Sequence, residues 1–111
     1  MHFTYLYSMN TQWNFWETPL LNGTKIKELN DPVFSVAANW VNEQIKNLEN
    51  PILFFKDKKS ISQEELLSIS LFASKHSAIL EGIDDANYKV ECTVRSILMD
   101  CIIDLKKQSF L

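Results

Sequence analysis

From Asp85 to Lys107 apolar side chains recur at helical spacing and mark the longest element of the chain. At about 100° per residue one stripe gathers Val90, Val94, Ile97, Leu98, Cys101, Ile102 and Leu105. A second stripe, roughly opposite, gathers Tyr88, Cys92, Met99 and Ile103. Lys89, Thr93, Ser96, Asp100, Asp104 and Lys107 remain as a polar arc about a quarter of the circumference wide. A helix apolar on most of its surface is either enclosed by other elements or shows one side to a partner. Asp84 or Asp85 is placed to cap its start, and Lys106 and Lys107 sit where the negative end of the helix dipole favours cations. Tyr88, Val90, Cys92 and Val94 also alternate with Lys89, Glu91 and Thr93, which is a strand pattern. Helix is preferred there because the 3.6-residue repeat continues to Leu105.

Two further helices follow from pattern and punctuation. Asp31 is a good N-cap and Pro32 a good first helical residue. From Val33 an apolar face runs through Phe34, Ala37, Ala38, Trp40, Val41, Ile45 and Leu48, and Pro51 ends the helix near Asn50. Ser62 and Glu65 make a capping box ahead of Leu66. The helix they start presents Leu66, Ile69, Phe72, Ala73, His76, Ile79 and Leu80, and is expected to run to Gly82. The short link Ile83-Asp84-Asp85 makes this helix and the terminal one neighbours. Between the two predicted helices, Ile52–Phe55 is an apolar run too short for a helix of its own, expected as a buried strand or a plug beneath a loop.

The first thirty residues have another character. Six of the thirteen aromatics (Phe3, Tyr5, Tyr7, Trp13, Phe15 and Trp16) lie there. Phe3, Tyr5, Tyr7 and Met9 alternate with polar residues except at Leu6, as in a short strand or extended arm. Asn22-Gly23 suits a type I′ turn joining residues 16–21 to 24–29 in a small hairpin, with a helical turn over 25–30 as the alternative. The aromatics serve either as a lid on the helical core or, through Trp13 and Trp16, as a binding surface. The expected architecture is therefore mainly α: one domain over residues 1–111, three to four helices packed around the C-terminal one, and an aromatic N-terminal segment that is irregular or a short hairpin.

Composition narrows the function classes. At 111 residues, 46% apolar and 23% charged, with two glycines and three prolines, the chain suits a globular domain and not a disordered or turn-rich one. A net charge of −3 disfavours nucleic-acid binding through the whole surface. The N-terminus carries no basic leader and apolar run, and nothing approaches a membrane span, so a cytoplasmic location is expected, with no membrane partner. Cys92 and Cys101 have no metal spacing and, half a turn out of phase on one helix, cannot bond to each other; reduced core thiols are expected.

Candidate chemistry is sparse. His76, amid Ile69, Phe72, Ala73 and Leu80, is read as a satisfied core histidine rather than a general base, since no nucleophile or orienting carboxylate is spaced to serve it. No His or Cys pair has ligand spacing and no glycine-rich loop is present, so no metal, cofactor or catalytic residue is expected. Lys56, Lys58 and Lys59 beside Phe54 and Phe55 give nucleic acid one foothold. The acidic side weighs more: Glu81, Asp84, Asp85, Glu91, Asp100 and Asp104 against Lys89 and Arg95 leave −4 between residues 81 and 104. An acidic corner beside apolar surface is what an inhibitor of a basic protein needs, because complementary charge speeds encounter and aromatic anchors hold the complex. The expected function is a non-enzymatic, immunity- or antitoxin-like protein that neutralises a basic toxin enzyme such as a nuclease, with Glu81, Asp84, Asp85, Glu91, Trp13 and Trp16 as contact residues. The alternatives are a nucleic-acid-binding regulator using the Lys56–Lys59 loop, an enzyme using His76, and a homodimer through the Tyr88/Cys92/Met99/Ile103 stripe.

Overall fold

The computed structural model describes residues 13–111, so the alternating segment from Phe3 to Met9 lies outside the described residues. Four helices follow one another: α1 (Pro32–Ile45), α2 (Ile52–Phe55), α3 (Gln63–Lys75) and α4 (Ala86–Lys107). Two 3-10 turns, Phe15–Glu17 and Ile26–Glu28, precede them. The fold is a small, mainly helical one in which α1 and α3 pack on the long C-terminal helix and α2 plugs one end.

Local chemistry sets the starts of α1 and α3. Asp31 Oδ1 accepts from the Phe34 amide at 3.0 Å, satisfying one of the free N–H groups that open any helix. At α3 the capping box is complete: Ser62 Oγ accepts from the Glu65 amide at 3.1 Å and Glu65 Oε1 from the Ser62 amide at 2.9 Å. The start of α4 differs from expectation. Asp85 occupies the N-cap position, but at φ 53 and ψ 40 its backbone is left-handed and its side chain caps nothing. It serves the helix through its carbonyl, which accepts from Lys89 N at 2.9 Å.

The helix ends come earlier than the pattern suggests. α1 stops at Ile45 and leaves Leu48 exposed, because Asn50 next turns through its own side chain, Oδ1 accepting from Ile52 N at 3.2 Å. α3 stops at Lys75 rather than running to Gly82. His76 leaves the helical conformation, and successive turns carry the chain to Gly82 at φ +82. That path buries Leu80 and half-buries Ile83 while turning Ile79 outward, which a continued helix would not. The 52–55 run is a one-turn helix, not a strand; Ile52 and Phe55 are the plug and Leu53 faces solvent.

The core is one cluster. Val90, Val94, Ile97, Leu98, Cys101 and Leu105 of α4 meet Phe34, Ala37, Ala38, Trp40, Val41 and Ile45 of α1, with Ile69 and Ala73 from α3. Burying each large side chain contributes roughly 1.5–3 kcal/mol. Val36, on the flank of α1, is buried as well, so α1 shares the central position with α4 rather than lying on the surface. Trp40 Nε1 donates to Ser68 Oγ at 3.0 Å and ties α1 to α3.

The expected hairpin is reduced to a single antiparallel bridge, Pro19 with Lys25. Leu20 O accepts from Gly23 N at 2.8 Å and only Gly23, at φ +87, has positive φ, so the turn is not type I′. Asn22 Oδ1 accepts from Thr24 N at 2.9 Å, which holds the loop by an Asx turn. This segment lays Trp13, Phe15 and Ile26 onto the core as a lid.

Candidate functional site

The residues between α3 and α4 alternate anchors with charges, and this alternation builds the one acidic corner of the described surface. Leu80 is buried and Ile83 half-buried, so the intervening Glu81 and the following Asp84 and Asp85 are turned out and exposed. Backbone bonds fix the path: Ile83 N donates to Leu80 O at 3.1 Å, and Asn87 Nδ2 reaches Ser70 Oγ on α3 at 3.4 Å. The carboxylates stand at the positive end of the α4 dipole, an arrangement that favours negative charge there by about 0.3–1 kcal/mol. Among the described residues none of the three has a cation within salt-bridge reach.

Around the corner apolar and polar side chains mix, Tyr88 sharing a groove with Ile83, Asp31, Lys89 and Thr93. Ile79 is 52% and Tyr88 66% exposed. Tyr88 lies in the first turn of α4, and its face continues through Cys92 and Met99, both exposed. The neighbouring Cys92 side chain holds the Tyr88 phenol above its ordinary value. Cys92 is thus not the core thiol the periodicity suggests; Cys101 is, and burial pushes its thiol up while the Thr18 hydroxyl pulls it down less strongly. Thr18 Oγ1 itself is buried with no full hydrogen bond.

The remaining residues expected at a contact divide. Glu91 is half-buried and paired with Arg95 at 3.2 Å, one turn on. Trp16 is half-buried against Phe15, ring centroids 5.0 Å apart. Trp13 is no surface anchor: it is 6% exposed, stacks edge-on against Phe55 at 5.4 Å, and donates through Nε1 to Asp104 Oδ2 at 3.2 Å. The structure brings Glu81, Asp84 and Asp85 together at the head of α4 and sets Trp13 and Trp16 on the lid.

Two acids placed on the polar arc by periodicity are buried. Asp104 accepts from both Trp13 Nε1 and Gln108 Nε2, the latter at 2.8 Å. Asp100 sits under the Leu20–Asn22 loop, at the floor of a groove shared with Phe34 and Thr93, and burial raises its carboxyl above the ordinary range. No local signal marks them, because it is the N-terminal lid, far away in sequence, that covers them.

Neither alternative chemistry gains a constellation. His76 is half-buried at the C-cap of α3, its Nδ1 2.9 Å from Phe72 O and its ring tilted on Phe72 at 4.3 Å, and so is a helix-end residue rather than a core one. Lys58 is committed to an ion pair with Glu65 and lies over the Phe54 ring at 4.6 Å, leaving Lys56 and Lys59 as the exposed cations of that loop. Among the described residues no three His, Cys, Asp or Glu side chains are grouped to hold a metal, and no helix is long and apolar enough to cross a membrane.

Comparison with family models, with curated proteins and with solved structures found no match to this chain.

Proposed function

We propose that this protein acts by binding, as a non-enzymatic inhibitor of the immunity or antitoxin kind that neutralises a basic toxin enzyme such as a nuclease. The observation that carries this is the corner at the head of α4: Glu81, Asp84 and Asp85 are exposed with no cation in salt-bridge reach among the described residues, and Tyr88 is exposed in the first turn of α4. Three carboxylates on one exposed turn supply the field that steers a basic partner, and Tyr88 supplies an aromatic anchor that an orientation-fixing contact needs. Glu91 and Trp16 lie farther out and would contribute at the rim.

The test is isothermal titration of the purified protein against the product of the adjacent reading frame. A nanomolar complex is expected, with association slowed at high salt. The double substitution Asp84→Lys/Asp85→Lys should weaken it at least tenfold by setting like charges together. A partner that binds both forms equally, or no binding by that product, would refute the proposal.

A further inference from the structure

The exposed face of α4 extends far beyond its acidic head. It passes through Tyr88, Cys92 and Met99 and ends at the exposed Lys106, with the exposed Lys107 beside it on the polar arc. Tyr88 and Met99 remain 66% and 60% exposed although the helix has a complete core face elsewhere. At 1.5 Å per residue α4 is about 30 Å long from Ala86 to Lys106, with the Asp84–Asp85 turn before one end and the two lysines at the other. The strip is therefore negative at one end and positive at the other, with Tyr88, Cys92 and Met99 between them beside the Glu91–Arg95 ion pair.

Such a strip complements itself in one orientation. Laid parallel on a copy, it would set acid against acid and lysine against lysine. Laid antiparallel, it sets each acidic head against a basic foot. We propose that α4 pairs antiparallel with α4 of a second copy of this chain, about a two-fold axis passing between Arg95 and Ser96. One register then satisfies both charge and shape: Tyr88 faces Ile103 and Cys92 faces Met99, which brings the acidic Asp84–Asp85 turn of each copy to the Lys106–Lys107 end of the other. Each contact is made twice, as a two-fold interface requires. A slip of one turn would cost a charge pair at each end. Arg95, where the copies come closest, is already neutralised by Glu91 of its own helix at 3.2 Å. Beside the strip a groove of about 420 Å³, lined by Lys59, Ile61, Leu98, Met99 and Ile102, offers the incoming Tyr88 ring an apolar seat with a cation at its rim. The pairing does not rest on the toxin partner proposed above. It occupies the same acidic head, so self-association and binding of that partner exclude one another.

Sedimentation of the isolated full chain, with no partner present, tests this directly. Dimer is expected to accumulate with concentration and to diminish as salt is raised. Asp84→Lys/Asp85→Lys and Lys106→Asp/Lys107→Asp should each lower association at least tenfold, and mixing the two variants should restore it as a heterodimer. The register has its own readout. Met99→Cys sets a thiol opposite Cys92 of the second copy, and diamide should convert it to a covalent dimer. Wild type should not cross-link, because its two Cys92 residues lie about 10 Å apart along the axis. A chain that is monomeric at millimolar concentration, a mixture of the two charge variants that fails to associate, or a wild type that cross-links as readily as Met99→Cys would overturn the proposal.

Discussion

Trp13→Phe separates a structural lid from a binding anchor. The indole is 6% exposed, and its Nε1 donates to a carboxylate that is itself buried. Phenylalanine keeps the edge-on contact with Phe55 but removes the donor, and a hydrogen bond to a charged group contributes about 1.5–3 kcal/mol. Gln108 Nε2 still serves Asp104 Oδ2 at 2.8 Å, which holds the loss toward the lower end. The smaller ring leaves a void that adds roughly 1 kcal/mol. The expected loss is thus about 2–3 kcal/mol, a large share of the roughly 5–15 kcal/mol a domain has. Urea unfolding should show a lower midpoint at unchanged slope, and the melting temperature should fall by about 10 °C. A cycle with Asp104→Asn should give a coupling of about 1–2 kcal/mol, since the two side chains form one network. Neither substitution should alter the dimer constant of the folded protein. A Trp13→Phe variant as stable as wild type, or a coupling under about 0.3 kcal/mol, would refute the network.

Other expectations follow from single contacts. Asp31→Ala removes the cap of α1 and should cost about 1 kcal/mol in urea unfolding, with Asp31→Asn largely restoring it. Burial pushes the Glu65 carboxyl up, but its bonds from Lys58 and Ser62 outweigh this and hold it below the ordinary range. Its stabilisation is therefore present above the ordinary glutamate value and lost as pH falls through the folded one, so the deficit of Glu65→Gln at neutral pH should vanish in acid. Asp100 has the opposite sign: burial raises its carboxyl, so stability falls as pH rises from the ordinary aspartate value to the folded one. Asp100→Asn should accordingly be more stable than wild type at neutral pH and equal to it in acid, read from urea midpoints across pH.

What the sequence made legible was local or periodic. The starts of α1 and α3 were readable because Asp31, Ser62 and Glu65 act on amides three residues away. The core face of α4 was readable because a repeat sustained from Val90 to Leu105 has one helical solution. The ends of α1 and α3 were not. Nothing within a turn of Lys75 forbids more helix, and what the break changes is Ile79, which the periodicity sets on the core face and the turns leave 52% exposed. Ile52–Phe55 was ambiguous for the same reason, since four apolar residues suit a strand or a helical turn until Pro51 and Asn50 set the start.

The acidic character of α4 shows how far a count of charges departs from a surface. The six carboxylates between residues 81 and 104 suggest an evenly acidic rod. Folding sorts them by depth. Asp100 and Asp104 go under the lid, where one is desolvated and the other accepts from Trp13 and Gln108. Glu91 is taken by Arg95. Only Glu81, Asp84 and Asp85 remain to meet a partner, all at one end, and Lys106 and Lys107 stand exposed at the other. The helix therefore presents a charge gradient, with Tyr88 and Met99 between its poles. A basic protein would be drawn to one pole alone, while a second copy would engage both. The two associations should consequently respond differently to loss of the lysines: Lys106→Asp/Lys107→Asp should weaken self-pairing at least tenfold and, by freeing more acidic head, strengthen capture of a basic partner.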